Sequence, residues 1–266
     1  MCLLCLSLLG LMGCGVLVRS SEPPVPRHPL TRWHKTDWLA TPWRLTVQGV
    51  EIRRAGVERT EGKPRTALWI WDTWHRPLNR WSQHYQVPVE LLIALIATES
   101  APAKGQPFYT RDPRSLRREK GFISLERTPH RISVGLTQVS VATARAVLKL
   151  EGIDPALVDD QWLMSAENGI RTGAALVARQ ARGELSNVAT YYDPPVVFAA
   201  YNAGGLYRMG GWQNRWKMRQ YPARTGKHVD RAVHFYNDAV AMLRTHPIAP
   251  VFSHRQYLYQ LAPWHR

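Results

Sequence analysis

Beyond residue 14 the chain has no cysteine. The three it contains, Cys2, Cys5 and Cys14, sit together at the N-terminus. The body of the protein can therefore hold no internal disulfide and no thiolate zinc site. Cys2 and Cys5 fit a C-x-x-C spacing on paper, but they lie in an apolar run with no second ligand pair. Acidic side chains are also scarce. Asp and Glu number 20 against 35 Lys and Arg, for a net charge of +15. Such a surface steers polyanions towards itself, but charge alone does not choose among nucleic acid, anionic lipid and bacterial wall polymer. No nucleic-acid-binding motif is present, so nucleic acid is not an expected partner. No internal repeat is visible either. What the chain does have is 45% hydrophobic residues over 266 positions, enough for a real core. It also carries eleven Trp and ten Tyr, most of them expected to pack and the rest to offer flat rings for stacking.

Residues 2–18 are almost wholly apolar. The run is short for a membrane span, which needs about 20 apolar residues, and suits the core of a secretory signal. Leu11-Met-Gly-Cys14 resembles the lipobox of bacterial lipoproteins, in which the cysteine becomes the lipid-bearing first residue. Residues 1–13 then read as a signal peptide and Cys14 as the lipidation site. No Lys or Arg precedes the run, a departure from that pattern. Gly15 rather than Asp follows the cysteine, which in the lipoprotein pattern points to an outer-membrane anchor facing the periplasm. The Pro-rich segment from Arg19 to Pro29 belongs to an extended tether over residues 14–42. Secretion without lipid is the alternative.

Residues 43–65 form a small extension, in which Arg44 to Arg53 alternates around Gly49 like a short hairpin. From Thr66 the signals are helical, giving a mainly α domain over 66–250 and a tail over 251–266. Ala67 to Tyr85 reads as an aromatic-rich helical region interrupted near Pro77. Pro88 opens a helix that is apolar on every side from Leu91 to Ala97, and hence buried on every side. It runs to about Ser100. Residues 101–131 form a long polar stretch. Further helices are expected over Ser140–Leu150, from a Ser165 cap to Arg182 with Gly183 closing it, and from Pro195 to Asn202. The spacing of Ala232, Phe235, Tyr236, Ala239, Val240 and Leu243 gives a last amphipathic helix.

Glu99 ends the apolar helix. A carboxyl group there should be desolvated and should feel the negative end of the helix dipole, and both effects favour the protonated form that a general acid needs. On position alone, a solvated Glu at a helix end is the more ordinary reading. Three further motifs shift the balance. Glu99-Ser100, then Gly135-Leu-Thr-Gln138, Ala166-Glu-Asn168 and Ala200-Tyr-Asn-Ala-Gly204 resemble, in order, those of the soluble-lytic-type lytic transglycosylases. The resemblance spans roughly residues 85–245.

It implies a lysozyme-like, goose-type helical domain and cleavage of peptidoglycan glycan strands. Glu99 would be the sole catalytic acid and base. The substrate's own acetamido group would replace the second carboxylate of ordinary glycosidases. Gln138, Tyr201 and Asn202 would line the glycan cleft. Ser133 would supply a hydroxyl near the acid, or else be a turn serine. Thr137 stands where the family commonly has Met, and would face the sugar in its place. Ser100 would stand among the substrate-binding residues and bond locally at the helix end, and Glu167 would be structural, in the first turn of its helix. The basic, aromatic segment Trp212–Arg219 would line the cleft, the wall-facing surface, or simply solvent. No cofactor or metal is implied, and a monomer is expected. The alternatives are a muramidase on the same fold, which would use water and a second carboxylate, and a non-catalytic wall-binding lipoprotein.

Overall fold

The computed structural model describes residues 32–34, 40–61, 64–100, 133–185, 189–204, 206–207, 217–218, 222–245, 252–253 and 255–256. Cys14, the signal before it, residues 15–31 and 35–39 of the expected tether, the 101–131 stretch with Asp112, Glu119 and Glu126, and Trp212 to Trp216 lie outside the described residues. The rest of the expected tether is strand: Arg32–His34 pairs antiparallel with Ala40–Pro42. Seven α-helices dominate the rest, so the mainly α expectation holds.

The chain enters through β1 (Arg32–His34), β2 (Ala40–Thr46) and β3 (Gly49–Ile52), which form an antiparallel sheet in that order. Thr46 pairs with Gly49 across a two-residue turn, confirming the hairpin. This segment is no loose extension. Leu45, Val50 and Ile52 are buried in the same core as the helices, and Asn237 clamps the hairpin at its turn. Its Oδ1 accepts from Val50 N–H at 2.8 Å, while its Nδ2 donates to the Val50 and Glu58 carbonyls.

α1 (Arg65–Tyr85) contains Pro77 and is interrupted near it, as expected. The proline has no N–H for the Thr73 carbonyl, and its ring crowds that turn. The interruption is a kink at Trp74 (φ −129°, ψ 23°), where two helical stretches meet. Trp69, Trp71, Trp74 and Trp81 pack against the core, as most of the aromatics were expected to do.

α2 (Val89–Ser100) is the central element: every residue except Glu99 is buried. It starts one residue after Pro88, whose carbonyl takes the N–H of Leu91. A short antiparallel pair, β4 (Ser133–Val134) and β5 (Val139–Ser140), holds the Gly135–Gln138 turn. Gly135 sits at φ +77°, and a Cβ there would come within 2.1 Å of the Leu163 carbonyl oxygen. Only glycine fits this turn.

α3 (Val141–Lys149) is capped by Ser140, whose Oγ accepts from Thr143 N–H. A 3-10 turn (Pro155–Leu157) and the short α4 (Asp160–Met164) follow. α5 (Ala166–Arg182) begins at the Ser165 cap and ends at Gly183, as the sequence predicts. α6 (Pro194–Ala203) ends at Gly204. β6 (Leu206–Tyr207) pairs with β7 (Lys217–Met218). α7 (Pro222–Thr245) starts ten residues before the apolar stripe that announces it. It packs on α2 and α6 through Val229, Ala232, Val233 and Tyr236.

Glu167 behaves as expected of a structural residue. Its Oε1 accepts from Arg80 at 2.7 Å and from the Trp81 indole at 2.8 Å, tying α5 to α1.

Candidate active site

Glu99 stands at the C-terminal end of α2, and its side chain keeps 20% of its surface. It is the one residue of that helix that reaches the surface. The helix is as dry as its sequence implies, but its C-terminal end meets two basic side chains of α7 that the sequence reading missed. His228, on α7, brings Nε2 to 3.5 Å from Glu99 Oε1, with only 7% of its side chain exposed. Arg231, one turn further along α7, donates to the carbonyl of Thr98. The guanidinium therefore satisfies one of the open carbonyls at the end of α2 and offsets part of the dipole that was expected to act on Glu99. His228 could have been found. It lies four residues before Ala232, so extending the α7 stripe back by one turn places it on the buried face.

The Gly135–Gln138 turn meets this helix end, and Tyr201 joins it through that turn. Ser100 does not bond locally, as the sequence suggested. Its Oγ donates across to the Leu136 carbonyl at 2.6 Å, with the Gly135 carbonyl at 3.4 Å. Buried beside a tight turn, it finds there the acceptor that its own helix end was expected to provide. Ser100 thus anchors the Gly135–Gln138 turn to α2.

Thr137 differs from expectation as well. Its side chain is turned inward against α5, with Oγ1 donating to the Gly169 carbonyl at 2.9 Å. A buried hydroxyl needs a partner, and the start of α5 offers one where a methionine would have had none. The side chain does not line the pocket described below. What Thr137 does offer is its backbone carbonyl, which accepts from the Tyr201 phenol at 2.7 Å.

Tyr201 is the pivot. Burial pushes its pKa well above the ordinary tyrosine value, and the Glu99 charge adds to the rise. The phenol therefore stays protonated, and its proton goes to Thr137. Gln138 adopts φ +48° and turns its Nε2 back to the Gly135 carbonyl at 2.8 Å.

A pocket of about 530 Å³ opens beside this cluster, within the range of small-ligand sites. Ser133, Gln138, Tyr201 and Asn202 all line it, with α3 and α5 forming the opposite wall. Four of the six residues expected to bind substrate are thus brought together, while Ser100 and Thr137 support the turn from behind. Glu99 is not itself a lining residue. It adjoins the pocket through Tyr201, which lines the pocket and feels the Glu99 charge.

Among the described residues, no group of three or more His, Cys, Asp or Glu side chains could hold a metal ion, and no helix is long and apolar enough to cross a membrane. No protein-family model matches the chain, and no curated protein matches it either.

Proposed function

We propose that this protein is a peptidoglycan lytic transglycosylase with a lysozyme-like helical domain, cutting the β-1,4 bond between N-acetylmuramic acid and N-acetylglucosamine. The observation that carries the reading is convergence. Two hydrogen bonds link three of the four motifs, Ser100 to Leu136 and Tyr201 to Thr137, and Thr137 also donates to the carbonyl of Gly169, just beyond the Ala166–Asn168 motif. A purely structural role for Glu99 would not require a pocket beside it lined by Gln138, Tyr201 and Asn202.

In this reading Glu99 starts protonated and gives its proton to the glycosidic oxygen as the bond to C1 breaks. The carbonyl oxygen of the substrate's 2-acetamido group bonds to C1 from the other face. Glu99, now a carboxylate, takes the proton from the C6 hydroxyl. O6 then displaces the acetamido oxygen at C1, closing a 1,6-anhydro ring. No water is consumed, and the carboxyl group returns to its starting state. His228, 3.5 Å from Oε1, is the ionisable group that the carboxyl group faces. Tyr201, with its proton committed to Thr137, presents oxygen lone pairs and ring to the pocket. Cys14 and the tether would hold the enzyme to the outer membrane, facing the wall.

The test is digestion of purified sacculi followed by mass spectrometry of the products. Muropeptides ending in 1,6-anhydro-N-acetylmuramic acid are expected. Reducing ends alone would replace this reading with the muramidase, and no release at all would favour the wall-binding lipoprotein. Glu99→Gln should abolish release while leaving the fold intact.

A further inference from the structure

The N-terminal sheet is fastened to the helical domain at two places, and the two fasteners differ in kind. At the turn between β2 and β3, Asn237 holds Val50 through both halves of its amide, a group that does not titrate. At the open end of the same strand pair, the Trp43 indole donates to Asp193 Oδ1 at 3.0 Å. Asp193 heads α6 but does not cap it. Pro194 and Pro195 come next, and neither has an N–H to give a capping carboxyl, so the side chain turns to β2 instead. Asp193 is 8% exposed, and among the described residues its side chain has one hydrogen bond, the one from Trp43. No counter-charge stands against it. Tyr236, on α7, is a buried phenol that stays protonated, Glu90, on α2, is itself an acid, and Tyr192, in the preceding turn, has its pKa pushed up to about 12. A carboxyl group buried without a cation keeps its proton, and an ionised one cannot stay there.

The approach to Asp193 is strained as well. Tyr191 and Tyr192 are both left-handed, at φ +50° and +55°, a conformation that bulky residues keep only where their surroundings hold it. Tyr191 N–H donates to the Ala181 carbonyl and Asp193 N–H to that of Thr190, which ties the turn to α5 and to itself. Its tie to the sheet is the Trp43 bond. Trp43 is only half-buried, so the pair stands at the edge of the core and a carboxylate has a short way to solvent.

We propose that the Trp43–Asp193 bond is a proton-operated latch between the N-terminal sheet and α6. With the carboxyl protonated, the open end of the sheet is fastened to the head of α6. When the proton leaves, the carboxylate turns out to water and releases the indole, while Asn237 keeps the sheet attached at its turn. The released strand, β2, pairs with β1, and α6 carries Tyr201 and Asn202 at its other end. The latch therefore joins the side of the chain that leads to Cys14 to a helix that lines the pocket. It does not depend on what the pocket binds.

The experiment labels the full-length protein with 5-fluorotryptophan and adds a soluble gadolinium chelate at several pH values between 6 and 9.5. The relaxation of each fluorine signal then reads how exposed its indole is. The Trp43 signal is identified by its loss in Trp43→Phe, and those of Trp69 and Trp81 on α1 in the same way. Relaxation of the Trp43 signal should rise severalfold with a midpoint near pH 8, where burial places the Asp193 carboxyl. In Asp193→Asn it should stay low throughout, because an amide oxygen accepts from the indole at every pH. A Trp43 signal that is flat with pH, or that rises equally in Asp193→Asn, would overturn the latch. A rise shared by Trp69 and Trp81 would mean that the whole core loosens, and would overturn it too.

Discussion

Asp193 offers a sharp test of how this fold balances burial against charge. It stands at the N-cap of α6, but its side chain makes no capping bond. Instead Oδ1 accepts from the Trp43 indole at 3.0 Å, joining β2 to α6. Burial pushes its pKa up to about 8 from the ordinary 3.8, although the Trp43 bond pulls the other way. The folded protein therefore holds a proton on Asp193 over a range in which the unfolded chain has lost it. Because the folded-state value is raised for an acid, this stability is fully present below pH 4. It is lost as pH rises from about 4 to about 8, and no more is lost beyond. Between pH 5 and pH 8 the loss comes to about 3–4 kcal/mol, at 1.36 kcal/mol per pKa unit. Asp193→Asn mimics the protonated acid and can still accept from Trp43. Urea denaturation of both proteins at several pH values between 5 and 8.5 isolates the effect, since other titrating groups cancel in the difference. The variant should gain on the parent steadily across that range and be the more stable of the two at pH 8. A difference that stays flat with pH would show that Asp193 is ionised in the folded state or solvated, and the argument would fail.

Other perturbations probe the candidate site. Gly173→Ala would place a Cβ 2.6 Å from Thr137 Cγ2; overpacking of this kind costs about 1–3 kcal/mol, so the thermal midpoint should drop, and glycan release with it as the turn shifts. Ser100→Ala leaves the Leu136 carbonyl without its donor and should cost about 1–2 kcal/mol in denaturant unfolding. Tyr201→Phe removes the bond to Thr137 and should slow release from sacculi about tenfold with little change in folding, as read by circular dichroism. His228→Asn should lower kcat by about tenfold at unchanged KM, the signature of a group that orients the acid rather than binding substrate.

Much of the helical frame was legible because its signals are local. Ser165 and Gly183 bracket α5 in sequence as they do in space, since both caps are local: the Ser165 hydroxyl accepts from Asn168 N–H, and Gly183 turns left-handed and donates its N–H to the last carbonyls of the helix. The buried character of α2 followed from seven consecutive apolar residues. Local rules fell short where a feature depends on distant partners. The 43–65 segment looked like an appendage because nothing in it announces Asn237, the residue on α7 that clamps its hairpin. The interruption of α1 near Pro77, by contrast, was legible, because a proline's missing N–H is a local signal, and it takes the form of a kink at Trp74.

The same division runs through the site. Glu99, Gln138, Tyr201 and Asn202 could be named from the sequence because short motifs hold them. Ser100 and Thr137 were placed in the right neighbourhood but given the wrong task. Which way a hydroxyl turns depends on which carbonyl is left open nearby, and those carbonyls, at Leu136 and Gly169, become neighbours only on folding. His228 and Arg231 escaped because they lie about 130 residues away on an element whose start the apolar stripe concealed. They also change the physical argument about Glu99. A carboxyl group at a dry helix end would keep its proton through desolvation and the dipole alone. Here Arg231 already answers part of the dipole, and an imidazole stands within 3.5 Å. The balance at Glu99 is therefore set between two helices. An imidazolium at position 228 would favour the carboxylate and a neutral ring would leave the proton in place, so α7 has a say in whether α2 presents an acid.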